Sequence, residues 1–351
     1  MNISTYCFTA TALTLTTFAA NAKINVTDDI SLSGFGSTSI TQSDNATPLY
    51  VNREITDDTC YDCDTTFGLQ GDIRFNDSFN ASVQIVKRPQ DEWSSPELEW
   101  AYLGYNVSDF NLKVGRLRLP LFLSSEYYYV GQAYTSARPP QEVYNSILGI
   151  TSYDGISGTW DIEINDESYL TLTPYVGVES KGEVNIRTTN YDFDIEKTFG
   201  FHSEVSGFDY RVMFNYAHFK YAVDVTLPGI PTQQYPADNI NIYTVGLEKS
   251  WDKLMLTTEV LVDTMHFNWY SSLAYNMDKF TPYVTYAESH HNQKNNSLLF
   301  GVRYDLTTTI SLNAEWKYTD ANSGDNGELI ADPVDGDLDA QLYTVMVNFI
   351  F

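Results

Sequence analysis

The side chains able to do chemistry are few in this chain and widely spaced. Cys60-x-x-Cys63 is the tightest pair. In an oxidising compartment it would form a disulfide staple across a loop. A redox centre would need a thioredoxin-like βαβ context, which the surrounding pattern lacks. A zinc site would need His290 and His291 to join the two sulfurs from another loop. Asp335-Gly336-Asp337-Leu338-Asp339 offers alternate acids of the hard-oxygen kind that calcium prefers, but the twelve-residue calcium loop with its terminal Glu is missing. Solvated loop charge is the plainer reading. His202, His218 and His266 have no recognisable Ser or Asn partner motif, and G-x-S-x-G is absent. No catalytic residue, cofactor or resident metal is expected. Tyr127-Tyr128-Tyr129, with Tyr134 and Tyr144, could stack on sugar rings; rings of this size also pack wherever they can bury area.

Composition narrows the classes further. The chain has 351 residues, with 20 Lys+Arg against 46 Asp+Glu and a formal charge of −26. So little clustered positive charge excludes a nucleic-acid partner, because neutralising phosphates requires it. Aromatic residues make up 15%, 26 of them Tyr, while the mean hydropathy is −0.28. No apolar run beyond the N-terminal segment reaches the length of a spanning helix, so a helical membrane protein is excluded. Residues Thr9 to Ala20 are weakly apolar and are followed by Ala20-Asn21-Ala22, a small-x-small cleavage pattern. Residues 1–22 are therefore expected to be a secretory signal and 23–351 a single domain. Cys7 lacks the context of a lipid attachment site.

From Asp28 onward the chain alternates with period 2, which is the mark of half-buried strands. Ile156, Trp160, Ile162 and Ile164 alternate with Ser157, Thr159, Asp161 and Glu163, and Ile310, Leu312, Ala314 and Trp316 alternate with Asn313, Glu315 and Lys317. Short turns fall at 76–78, 108–109, 165–167, 206–207, 250–252, 277–279 and 306–308. Between them lie longer connections at about 42–63, 89–95, 119–151, 180–189, 222–238, 267–271, 290–296 and 320–338. Seven turns interleaved with eight loops predict sixteen strands. Pro96–Val107 and Trp269–Asn276 are ambiguous, which leaves fourteen as the alternative.

Sixteen such strands fit a soluble sandwich poorly. In lipid every backbone N–H and C=O must be paired within the protein, and among sheets only a closed barrel achieves this. An all-β, transmembrane antiparallel barrel with its apolar face towards lipid accounts for the aromatic excess, the low hydropathy and the signal segment together. The last strand agrees: Tyr343, Val345, Val347 and Phe349 share one face and Phe351 ends the chain.

That terminal strand resembles the assembly signature of bacterial outer-membrane barrels, and the whole layout resembles the Gram-negative porins. Gly115-Arg116-Leu117-Arg118-Leu119-Pro120 and Arg138-Pro139-Pro140-Gln141-Glu142-Val143-Tyr144 look like porin-like proteins of marine Gram-negative bacteria. The resemblance implies a homotrimer in the outer membrane, among outer-membrane lipid and lipopolysaccharide; the solvated acid of the loops would let divalent cations bridge them to the latter. It implies that Tyr343, Phe349 and Phe351 are read by the outer-membrane barrel assembly machinery. It also implies that residues 119–151 form a third loop folded into the lumen as a constriction. Glu126, Arg138 and Glu142 would then line the eyelet, Arg116 and Arg118 would stand at its base, and Arg74 and Arg88 would be wall partners. The expected function is passive diffusion of small hydrophilic solutes and ions, with a mild cation preference from the net charge. A solute-specific porin for saccharides or anions is the alternative; an outer-membrane enzyme would require a Ser/His or Asn partner motif that the chain lacks, and an adhesin or structural barrel is favoured only where loops plug the lumen.

Overall fold

In a computed structural model of the chain, the described residues are 23–89, 95–146, 151–186, 188–291, 293–321, 325–334 and 336–351. The expected signal segment and Asp335 lie outside them. The strands are β1 (Lys23–Asn25), β2 (Ile30–Ser43), β3 (Thr66–Arg74), β4 (Phe79–Lys87), β5 (Glu97–Val107), β6 (Phe110–Arg118), β7 (Ser152–Asn165), β8 (Ser168–Gly177) and β9 (Ser180–Ile186). They continue with β10 (Thr189–Gly207), β11 (Tyr210–Thr226), β12 (Gln233–Trp251), β13 (Leu254–Val262), β14 (His266–Tyr275), β15 (Phe280–His291), β16 (Asn295–Asp305), β17 (Ile310–Ala321) and β18 (Asp339–Ile350).

Every pairing is antiparallel, and β18 returns to β2 with Val345 opposite Ile40 and Ile350 opposite Phe35. The sheet is thereby closed, and β2 to β8 with β10 to β18 form a barrel of sixteen staves. At the seam Gly34 and Phe351 exchange both backbone hydrogen bonds, at 2.8 and 2.9 Å. β1 pairs with Ser31–Ser33 of β2. β9 continues the line of β8 along the first half of β10.

Six of the seven expected short turns fall at connections between consecutive staves, and the seventh, expected at 206–207, lies at 208–209 because Ser206 and Gly207 still pair with β8; both ambiguous segments are strands, β5 and β14, so the count of fourteen is set aside. Four of the expected loops are smaller or displaced, that at 290–296 shrinking to 292–294 between β15 and β16. Residues 180–186 pair with β10 as β9, and 222–226 and 233–238 belong to β11 and β12, because Val184, Tyr191, Val223 and Tyr235 keep the alternation going. The expected loop at 267–271 lies inside β14. The true connection is 263–265, where Asp263 Oδ1 accepts the amides of Met265 and His266 at 2.6 and 2.7 Å in a side-chain-closed turn. β10, β11 and β12 are consequently 19, 17 and 19 residues long, against 9 for β13.

The two faces differ as the alternation requires. Ile156, Trp160, Ile162, Val245, Phe300, Tyr343 and Val345 are exposed on the outside, whereas Thr244, Asn313, Thr344 and Asn348 on the opposite face are buried. The inner face is not polar throughout, however. Ala217, Phe219, Ile242, Leu261 and Ala287 sit at inner positions of β11, β12, β13 and β15 and are almost fully buried. They are apolar because the chain between β6 and β7 packs on them.

Candidate functional site

Among the described residues of 119–151 the secondary structure is limited to short helical turns, at Ser125–Tyr127, Gly131–Ala133 and Gln141–Tyr144 (α1). A segment with so little secondary structure leaves many backbone groups without internal partners, and buried ones must find them elsewhere. Wall side chains supply them. Thr244 on β12 donates to the carbonyl of Leu121, Arg211 on β11 to that of Leu123 at 3.2 Å, and Arg303 on β16 to those of Gln132 and Tyr134 at 3.2 and 2.6 Å. Asn313 on β17 reaches the carbonyl of Thr135 and Asn268 on β14 that of Glu142, each at 2.7 Å. In the other direction, Glu259 on β13 accepts the amide of Leu123 and Glu315 on β17 the amide of Ala137, both at 2.7 Å. The phenols of Tyr144 and Tyr270 complete the shell of Glu259, and that of Tyr283 joins Glu315.

Apolar packing fixes the two ends of the segment. Leu119, Leu121, Val143 and Tyr144 join Leu117, Tyr153, Tyr175, Phe219, Ile242 and Leu261 in one buried cluster. Each such side chain contributes about 1.5–3 kcal/mol when removed from water. The polar fastenings therefore set position, and this cluster supplies most of the attraction.

Three ionic groups lie around the segment. Asp64, just before β3, accepts Nε of Arg53 at 2.8 Å and Nε of Arg138 at 2.7 Å, and its second oxygen takes Arg138 Nη2 and the Ser39 hydroxyl. Burial opposes the charge on Asp64, but the guanidiniums of Arg138 and Arg53 outweigh it and hold the carboxyl below the usual carboxylate range. Glu142 and Glu328 share the ammonium of Lys317 at 2.8 and 2.7 Å. The Tyr50 phenol accepts from the same ammonium at 3.2 Å. The third group is Glu99, which is fully buried at a bulge in β5 and pairs with Arg88 at 3.1 Å and with Arg118.

Burial, and then the neighbouring Glu142 carboxylate, push Glu328 up to about 7 despite Lys317. Because the folded value is raised, the stability this group contributes is full at low pH and is lost as pH rises through that value. The protection of the amides of Glu328 and Leu329, corrected for the intrinsic pH dependence of exchange, is therefore expected to fall as pH rises from 4.5 to about 7, and Glu328→Gln to flatten that fall. An unchanged profile in the variant would show that another group titrates.

The residues expected at a constriction are thus only partly brought together. Arg88, Arg118, Arg138 and Glu142 are all in contact with the groups just described. Glu126 is exposed within the segment. Arg74 stands at the turn end of β3, largely exposed and bonded to Asp29 at 3.2 Å, away from the segment. Arg116 pairs with Asp154 at 3.1 Å and shares the outer face with Val114 and Ile156. The resemblance groups Arg74 with Arg88 as wall partners but does not fix their heights along the wall, which differ. The partners missed from sequence are Arg53, Asp64, Glu99, Glu259, Glu315, Lys317 and Glu328. The only sequence signal for the strand members is a charge on the polar side of an alternating stretch.

A cavity of about 80 Å³ opens beside the segment, lined by Arg53, Arg88, Arg118, Tyr128, Tyr129 and Tyr144 among others. Arg118 lies 4.9 Å over the Tyr129 ring and 5.6 Å over that of Tyr128. The tyrosines are therefore engaged in packing and cation–π contacts. Cys60 and Cys63 are joined as a disulfide, which removes them as zinc thiolates. His290 lies against Glu288 at 3.1 Å and stacks on Phe267. His202 faces the carbonyl of Pro120, His218 faces Asn241 and His266 faces Asp263. Asp337 and Asp339 are tied to Asn45 through their carbonyls.

A closed sixteen-strand barrel with an apolar exterior is the architecture of a porin-like protein. Solved structures agree. OmpT of Vibrio cholerae matches with a TM-score of 0.57 at 14% identity, covering 93% of this chain and 100% of that one. An anion-selective porin from Comamonas acidovorans matches at 0.59 and 12%, covering 92% of this chain and 99% of that one. OmpF of Salmonella typhi matches at 0.59 and 13%, covering 94% and 100%. No protein-family model matches the chain, and no curated protein matches it in sequence. The shared feature is the fold of the outer-membrane porins.

Proposed function

We propose that this protein is a diffusion channel of a Gram-negative outer membrane, carrying small hydrophilic solutes and ions through a lumen that residues 119–151 narrow. The observation that carries the reading is a closed barrel whose polar inner face is bridged, from β11 to β18, by one fastened segment. The exposed apolar exterior suits lipid. Reconstitution into planar bilayers tests it: stepwise, long-lived conductance is expected, and electrical silence of folded protein would overturn it.

We further propose a mild cation preference. Arg53, Arg88, Arg118 and Arg138 are each paired with a carboxylate, so the excess of acid over base governs the field at the mouth. In a salt gradient the reversal potential should have the cation-selective sign and shrink as screening grows. Arg118→Ala should shift it further towards cations, whereas Arg116→Ala, on the outer face, should leave it unchanged. Equal shifts would refute this assignment of faces. Homotrimer formation is part of this proposal. Recognition of Tyr343, Phe349 and Phe351 by the assembly machinery, and divalent bridges from the acidic loops to lipopolysaccharide, belong to the same proposal.

A further inference from the structure

The clamp on the narrowing segment is tied to the disulfide. Cys60 is docked on β2 by two backbone hydrogen bonds with Thr41, at 2.8 and 2.9 Å. Cys63 is buried among Leu49, Tyr50, Ile55 and Leu329, while Cys60 is partly exposed. The residue after Cys63 is Asp64, whose carboxylate holds Arg53 and, from the narrowing segment, Arg138. The disulfide, with Cα atoms 6.0 Å apart, therefore closes the short stretch between a fixed strand and the carboxylate that clamps the segment.

We propose that Cys60–Cys63 is a thiol-exchange site, open to small thiols of the surrounding medium, that sets how tightly residues 119–151 are held; its effect on transport rests on the channel reading. A thiolate attacks Sγ of Cys60, the accessible sulfur, forming a mixed disulfide and breaking the bond to Cys63, whose sulfur leaves as a thiolate and takes up a proton. A second thiol attacks the outer sulfur of the mixed disulfide, releasing the Cys60 thiol. Two small thiols are oxidised to their disulfide as the protein disulfide is reduced by two electrons. The stretch from 60 to 64 then gains conformational freedom, and Asp64 is presented to Arg138 for a smaller fraction of the time.

The test is single-channel recording of the full, oxidised protein before and after dithiothreitol, with the two new thiols counted by mass tagging. Open-channel noise should rise several-fold on reduction and fall again on reoxidation with diamide. The double variant Cys60→Ser with Cys63→Ser should be noisy from the outset and indifferent to dithiothreitol. A protein with both thiols freed and unaltered noise would overturn the inference. Should the oxidised protein conduct nothing, the channel reading fails instead, and limited proteolysis within residues 119–151 still decides: faster cleavage on reduction supports the site, and equal cleavage refutes it.

Discussion

Asp64→Ala is expected to destabilise the folded barrel by about 3–5 kcal/mol, because it leaves two buried guanidiniums without their carboxylate. The side chains of Asp64, Arg138 and Arg53 are 1%, 6% and 8% exposed, so water cannot take the place of the lost partner. Thr41, Thr344 and Gln141 also accept from these arginines, but as neutral groups they do not balance the charge. Denaturant unfolding in detergent measures the loss. Removing one of the orphaned charges as well, in Asp64→Ala with Arg138→Met, should recover part of it, since the pair is coupled. A single variant within 1 kcal/mol of the parent would show that the cluster is solvated. The same clamp should resist acid: a depressed carboxyl keeps its contribution above the ordinary carboxylate range and loses it only as pH falls through the lower, folded value.

Gly155→Val is expected to cost on the order of 3 kcal/mol or more, through overpacking against backbone that cannot step aside. Gly155 is paired with Gly115 on β6 and with Gly177 on β8. A Cβ at Gly155 would lie 2.0 Å from the carbonyl oxygen of Val176, and one at Gly115, whose φ is +139°, would lie 2.2 Å from that of Ala101. Three staves approach closely in this row, three residues from the end of β6 and from the start of β7, between which residues 119–151 leave and rejoin the wall. The variant should show a lowered unfolding temperature and a loosened segment. Gly229→Ala is the contrast, since its φ of +77° lies in open space; the backbone alone should cost about 1 kcal/mol there. Equal losses at the two sites would refute the close-approach argument.

Much of the barrel was legible because alternation and turn chemistry are local. Six of the seven turns, the bounds of residues 119–151 and the exposed face carrying Tyr343 and Val345 all follow from the order of residues. What was not legible depends on height along the wall and on pairs far apart in the chain. Arg74 and Arg88 have similar sequence surroundings, yet one meets Asp29 near a turn and the other Glu99 beside the cavity. Arg138 and Asp64 are 74 positions apart, and nothing at either position announces the other. The apolar inner positions Phe219 and Leu261 break the polar rule because a loop, not water, covers them. Arg138, expected at the eyelet, is a base on the segment held by Asp64, an acid outside it.

The unequal stave lengths give the entrance a direction. At about 3.4 Å per residue, the 19 residues of β10 or β12 run far beyond an apolar band about 25 Å tall. Four adjoining segments, β9 to β12, thus rise as a parapet on one flank, bearing Asp192, Asp194, Asp224 and Asp238, while the three-residue connection after β13 leaves the neighbouring sill low. In the proposed channel such a parapet would shield one side of the entrance and leave the sill as the open approach.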